Sequence, residues 1–153
     1  MNHYLLNPYN YISLFRVLII FKNLFYFLFC IIFHKIPQKI EVHTPIGLIC
    51  IYLRNYESLK TVFSIFCRED YIVDSSNNHF LDLGSNCGYS ALYFLSRNNK
   101  NTIDCYEPEK ENIKFLKKNL SIFEGRYNIF NAAVSISNKK ELFYTSVDGK
   151  YSS

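Results

Sequence analysis

The sequence predicts an α/β fold in which parallel strands alternate with helices, and three observations support this. An apolar run at residues 80–83 ends in a glycine-rich turn and leads into an amphipathic helix, Tyr89–Arg97. Residues 102–107 have the character of a second strand that ends in a carboxylate, and a segment with apolar residues at helical spacing follows. Residues 127–131 then form a third predicted strand after a Glu-Gly turn. Strands and helices in this alternation are typical of βαβ units.

The turn after the first strand has the spacing of a nucleoside-binding loop, Asp-x-Gly-x-Asn-x-Gly over residues 82–88. Gly84 and Gly88 remove Cβ atoms where the chain turns sharply and a ligand comes close. Free amides at the helix start and the Asp82 carboxylate can hold polar groups of that ligand. Because the spacing differs from the dinucleotide pattern G-x-G-x-x-G, it favours S-adenosylmethionine over a nicotinamide cofactor.

Further residues suited to this cofactor follow. Glu107 ends the second strand at about the 20-residue separation expected of an acid that binds ribose hydroxyls in a βαβ unit. Asn131, Ala132 and Ala133 come directly after the third strand. Small side chains there leave room for a flat base, so the sequence predicts the adenine position at this strand end.

The motifs resemble those of FkbM-type S-adenosylmethionine-dependent methyltransferases. The resemblance runs from about Arg54 to the end of the chain and rests on four segments in order: RNYESLKTVFSIFCREDYIV, DLGSNCGYS, YEPEKENIKFLKKNL and NAAVS. It implies a Rossmann-like class I methyltransferase fold and methyl transfer to a hydroxyl, often on a sugar or secondary metabolite. The positions that match the family's first cofactor motif are Asp82, Gly84, Ser85, Asn86 and Gly88. Glu107 matches the acid that binds the ribose, and Tyr71 matches an aromatic residue before the first strand.

A later motif of that family, an Asp-Val-Glu-Gly-like strand, has no counterpart before Ser153. The sequence therefore predicts only the N-terminal half of the methyltransferase sheet, with a further strand at 140–145. Strand 80–83 would keep one unpaired edge, and the substrate pocket would be missing. We expect the isolated chain to be weakly stable and inactive, and no catalytic residue can be assigned.

Three functions stay open at this point. The first is a FkbM-type methyltransferase, here an incomplete domain, that acts on a small-molecule or glycan hydroxyl. The second is a non-catalytic, membrane-associated remnant. The third is a nucleic-acid methyltransferase of similar fold, which needs a basic groove or a base-holding aromatic motif. The net charge of +4 is dispersed, and its densest group, Lys114, Lys117 and Lys118, is typical of a solvated helix face, so no nucleic-acid partner is expected.

The five cysteines and four histidines are scattered without the spacing of zinc ligands, so no metal site is expected. Widely spaced cysteines in odd number favour a reducing compartment. Cys87 lies near a helix start, where a nucleophile could be activated, but no histidine follows His79. The sequence therefore favours a structural role for Cys87, as a small residue that the loop tolerates.

The N-terminal segment is more strongly apolar than the rest of the chain. Residues 14–33 are apolar except at Arg16, Lys22 and Asn23, over a length close to the roughly 20 residues that span a bilayer. No small-residue cleavage site follows, which disfavours a signal peptide. The sequence predicts an apolar helix within residues 1–36 that spans or lies on a membrane, with the chain on its cytoplasmic face. The alternative is a helix buried against the domain.

The chain thus divides into three predicted parts. Residues 1–36 hold the apolar helix. Residues 37–78 hold a β-hairpin, with strands at 39–44 and 46–53, and an approach helix at 57–67. Residues 79–153 hold the half domain with the cofactor motifs.

Overall fold

The structure, a computed structural model, describes residues 8–71 and 78–135; at residues 8–12 and 14 it describes the backbone alone. Helices and strands follow one another along the chain in this order: α1 (Pro8–Ile20), α2 (Leu24–Ile32), β1 (Lys39–Thr44), β2 (Gly47–Tyr52), α3 (Tyr56–Phe66), β3 (His79–Leu83), α4 (Tyr89–Arg97), β4 (Thr102–Tyr106), α5 (Lys110–Leu120) and β5 (Tyr127–Phe130). A short 3-10 turn, Ser121–Phe123, joins α5 to β5. The predicted strand at 140–145 lies outside the described residues.

Strands β3, β4 and β5 form a parallel sheet in that order, which confirms the α/β prediction. Helix α4 begins and ends where the sequence predicts, and the three strands agree with their predicted bounds to within one residue. Strands β1 and β2 form the predicted antiparallel hairpin, with Lys39 opposite Tyr52 and Thr44 opposite Gly47. Helix α3 follows with Asn55 as its N-cap, because the Asn55 side chain accepts a hydrogen bond from the Ser58 amide.

The core lies between one face of the sheet and helices α4 and α5. Ile103 and Cys105 of β4 are buried on that face. The helices contribute fully buried leucines that recur at helical spacing, which is why these segments form amphipathic helices; they are Leu92, Leu95, Leu116 and Leu120.

The other face of the sheet is open in the described part of the chain. Leu81 and Leu83 are 63% and 58% exposed, and β3 pairs with β4 along one edge only among the described strands. Parallel sheets are normally covered on both faces, because each face carries apolar side chains. The predicted unpaired edge of the first strand is therefore present in the described residues.

The N-terminal apolar segment differs from the single helix that the sequence predicts. It forms two helices, α1 and α2, separated by residues 21–23. The break occurs because Phe21 bridges to Val42 of β1, the Lys22 amide donates to the Glu41 carbonyl at 3.1 Å, and the Phe21 ring stacks on Phe27. Among the residues that the structure describes, no helix has the length and apolar character needed to cross a membrane.

We predict that Gly88→Ala destabilises the fold more than Gly125→Ala. Both glycines have φ near +80°, at +85° and +80°, where a Cβ costs about 1–2 kcal/mol. Only at Gly88 would the new Cβ also meet a neighbour, Leu116 Cδ1 at 2.5 Å, and overpacking of this kind costs about 1–3 kcal/mol more. Urea unfolding followed by far-UV circular dichroism measures both variants, and equal losses would show that α5 simply moves aside.

Candidate functional site

A cleft of about 370 Å³ opens at the carboxyl end of β3. The loop 84–87 and the start of α4 form one wall, and the N-terminal half of α3 contributes the other. Arg54 and Tyr71 also line it. The cleft therefore brings three of the predicted cofactor residues together, Gly84, Ser85 and Asn86, with the aromatic residue that the family resemblance singled out.

The loop has the conformation that its glycines permit. Gly84 and Gly88 adopt φ of +85°, and Asn86, one of the non-glycine residues that tolerate the left-handed region, has φ of +48°. A Cβ built at Gly84 would meet nothing within 4 Å. Gly84 is thus required by the turn itself and leaves open space beside the loop.

The loop amides are less available than the sequence predicts. The amides of Gly84 and Ser85 both donate to the Tyr106 carbonyl, at 2.9 and 3.0 Å, which extends the pairing of β3 with β4. The Gly88 amide donates to the Ser85 carbonyl at 2.7 Å. The donors that remain for a ligand are those of the first turn of α4, whose amides have no carbonyl partner within the helix.

Asp82 is held at the end of β3 by two serines. Its carboxylate accepts a hydrogen bond from the Ser90 hydroxyl at 2.7 Å, and its carbonyl accepts one from the Ser85 hydroxyl at 2.8 Å. Burial raises the pKa of the Asp82 carboxyl above its usual value, and the nearby Glu107 charge adds to this while the two serines oppose it. Ser90 lines the cleft, so Asp82 lies directly behind its wall.

Glu107 follows the last residue of β4, as predicted, but its carboxylate faces the protein. One oxygen accepts from the Asn86 amide at 2.8 Å. The other accepts from the Glu109 amide at 2.9 Å and from the Asn112 side chain at 3.2 Å. The residue is only 5% exposed and does not line the cleft. In this structure Glu107 braces the loop that forms the cleft wall.

Asn131 and Ala132 lie beyond β5 and do not line the cleft. The Asn131 side-chain amide donates to the carbonyls of Glu107 and Pro108, at 3.0 and 2.8 Å. Ala132 is exposed, and its amide donates to the Phe130 carbonyl at 2.9 Å. Asn131 is therefore joined to the backbone that follows β4, whereas the Ala132 amide bonds only to its own strand end.

Cys87 has the surroundings of a structural residue. It is 1% exposed, and burial raises the pKa of its thiol to about 11, so the thiol is protonated at neutral pH.

Within residues 8–71 and 78–135, no three histidine, cysteine or acidic side chains come together in a way that could hold a metal ion.

Sequence reasoning missed the network that attaches α3 to the loop. Arg54 pairs with Glu109 at 3.2 Å and donates a hydrogen bond to Asn112, which in turn donates to Glu107. The hydrogen bond with Glu109 raises the pKa of the Arg54 guanidinium, so its charge is held. A signal was present in the sequence, because Asn112 stands four residues before Leu116, on the helix face that also carries Leu120.

Tyr89 adds a further link between the hairpin and the cofactor loop. Its hydroxyl accepts from the Arg54 amide and donates to the Tyr52 carbonyl, both at 3.3 Å. Burial raises the pKa of this phenol, so it stays neutral and can donate. The cleft wall is thus fixed from three sides: the hairpin, α3 and α5.

Comparisons with known proteins give limited information. No family model matches the chain, and no curated protein is similar enough to match it. Among solved structures, a Pyrococcus horikoshii protein provisionally described as an RNA methyltransferase is 28% identical, over 40% of this chain and 31% of that one, with a TM-score of 0.34. That score is too low to assign a fold or a function. FkbM-type identity therefore stays an interpretation of the sequence motifs.

We predict that Asp82→Asn is more stable than the unmodified protein at neutral pH. Because the pKa of Asp82 is raised in the folded state, ionisation of this carboxyl lowers the free energy of unfolding. The loss becomes smaller as the pH drops through the folded-state pKa and Asp82 takes up a proton. Asparagine keeps an acceptor for Ser90 and carries no charge. The gain should vanish near pH ~4, about the pKa of an unfolded aspartate.

Urea unfolding across this pH range measures the difference between the two proteins. Glu124→Gln, at an exposed carboxylate, is the matched control. A loss of stability in Asp82→Asn at every pH would show that the carboxylate stabilises the fold.

Proposed function

We propose that the chain carries the cofactor-binding half of an S-adenosylmethionine-dependent methyltransferase of FkbM type. The observation that supports this most is the position of the motif loop. It lies at the carboxyl end of β3 in a parallel sheet and lines a cleft, with the acid-bearing end of β4 directly behind it. Ligands of open α/β sheets bind outside the carboxyl ends of the strands.

The wall of the cleft has chemistry that suits the two ends of such a ligand. The start of α4 carries partial positive charge and unpartnered amides, which favour a carboxylate. Asp82 and Ser90 lie beside it and favour an ammonium group. The open space next to Gly84 lets a flat or bulky group approach the backbone. When bound, the cofactor would supply an activated methyl group on a sulfonium centre.

Glu107 has two roles in this proposal. Its three hydrogen bonds fix the loop, and a carboxylate can accept about four. The remaining acceptor position suits a ribose hydroxyl, as the family resemblance implies. Asn131, bonded to the carbonyls of Glu107 and Pro108, and its neighbour Ala132 would border the adenine.

The acceptor in this proposal is a hydroxyl of a sugar or small metabolite, the class that the resemblance implies. The cleft of about 370 Å³ is assigned to the cofactor in this proposal, so the acceptor class rests on the resemblance alone. Two of the basic residues of α5 already have partners within the chain. Lys114 pairs with Glu111 at 2.6 Å, and the Lys118 ammonium lies 3.9 Å from the Tyr52 ring centre. This arrangement supports a small acceptor over a nucleic acid.

Calorimetric titration of the full chain with S-adenosylmethionine and S-adenosylhomocysteine tests the cofactor proposal. Asp82→Ala and Glu107→Ala should each weaken binding by roughly 10- to 150-fold, because a hydrogen bond to a charged group contributes about 1.5–3 kcal/mol. Lys117→Ala, an exposed residue on α5, is the control and should bind normally. A folded protein that binds neither compound would contradict the proposal.

Comparison of these two alanine variants also distinguishes a residue that contacts the cofactor from one that holds the loop in place. Glu107→Ala removes acceptors from the amides of Asn86 and Glu109, so it should lower the melting temperature as well as the affinity. Asp82→Ala should lower affinity with little loss of stability. Unchanged affinity in either variant would remove the cofactor role of that residue.

A further inference from the structure

Exposed apolar side chains concentrate at the N-terminal end of the described chain. More than half of the exposed large apolar residues in the described ranges lie within residues 15–36. We define the N-terminal apolar surface by Phe15, Ile19, Phe25, Phe29, Ile32 and Phe33. Phe25 is 87% exposed, which is extreme for a phenylalanine in a folded chain. A patch of this kind marks a surface that another molecule covers.

The opposite side of these helices is fixed to the domain. Phe21, Phe27 and Cys30 are buried in the core. Arg16 of α1 pairs with Glu69 at 2.8 Å, and the Tyr56 hydroxyl donates to the Ile31 carbonyl at 3.1 Å. The helices therefore lie along the domain with one side inward and one outward, which is the geometry of helices that rest in a membrane interface.

Basic residues outnumber acidic ones around this surface. The first forty residues contain no aspartate or glutamate. Lys22 is paired with Glu41 at 2.9 Å, whereas Lys35 and Lys39 are exposed and form no ion pair with the described carboxylates. Two unpaired lysines beside exposed phenylalanines complement the anionic headgroups and acyl chains of a bilayer.

A groove of about 350 Å³ lies at the border of this surface, between the start of α2 and β1. Asn23, Gln38 and Lys39 line it together with the Tyr26 ring. Glu41 also lines it, but its charge is offset by Lys22. Polar donors and a tyrosine next to apolar side chains are the composition found at the level of lipid headgroups.

We propose that the N-terminal apolar surface docks the protein on the surface of a bilayer that contains anionic lipids. The phenylalanines enter the boundary between headgroups and acyl chains, and Lys35 and Lys39 face the lipid phosphates. A second copy of the chain suits this surface less well, because the same unpaired lysines would meet across a symmetric contact with no acidic partner. The proposal does not depend on the cofactor site.

The chain lacks tryptophan, so Phe25→Trp places a single reporter on this surface. Ile122→Trp is the matched control, because Ile122 is also exposed, at 55%, but lies on the 3-10 turn after α5. The full chain is titrated with phosphatidylcholine vesicles and with vesicles that also contain phosphatidylglycerol. We expect a blue shift for Phe25→Trp with the anionic vesicles at low salt, and no shift for Ile122→Trp.

The lysines are tested by neutralisation. Lys35→Gln and Lys39→Gln should each weaken partitioning onto the anionic vesicles by roughly fivefold, the effect of one basic residue near an anionic surface. Lys117→Gln, an exposed lysine on α5, should leave partitioning unchanged. Co-sedimentation of the unmodified chain with the vesicles measures the same binding without a substitution.

Three results would overturn the proposal. One is a Phe25→Trp spectrum that no vesicle changes in a protein whose circular dichroism is native. Another is an equal shift at both reporter positions. The last is a blue shift that needs no vesicles and grows with protein concentration, since this would place the surface between copies of the chain.

Discussion

The site depends on one buried carboxylate. Glu107 accepts hydrogen bonds from the amides of Asn86 and Glu109 and from the side chain of Asn112, and so joins the turn after β3 to the start of α5. Burying a carboxylate is costly unless donors surround it, so these donors must keep their positions. Arg54 extends the constraint to α3, because it binds both Glu109 and Asn112. The shape of the cleft wall follows from this network.

The same network restricts what the loop can offer a ligand. An acid at the end of the strand next to a glycine loop can face the ligand or the loop, and the sequence spacing is the same in both cases. The choice depends on Asn112, which is contributed by α5 and places a donor on the inner side of the carboxylate. With the amides of Gly84, Ser85 and Gly88 already bonded, few amides of this loop remain for a ligand.

Local features were predictable and long-range ones were not. The α4 helix and the three strands have periodic apolar residues and terminate at glycine or polar turns, so sequence pattern sufficed for them. The side chain of Leu116 in α5 fills the space where a Cβ at Gly88, the residue before α4, would lie, and no spacing in the sequence predicts this. The prediction of one N-terminal helix was wrong because the segment is apolar almost throughout, so its composition does not indicate where the helix ends. It ends before Lys22, where the backbone pairs with β1.

The two uncovered surfaces of the described chain differ in chemistry. On the open sheet face polar groups lie among the leucines, since His79 lies 3.3 Å from Asp104 and Asn128 donates to Asp104. The β3 edge also carries backbone amides and carbonyls that bond to water or to another strand. The hydrocarbon region of a bilayer cannot supply these hydrogen bonds, whereas helices satisfy their own backbone and can be covered by lipid. Contact with lipid therefore suits α1 and α2 but does not suit the edge of β3.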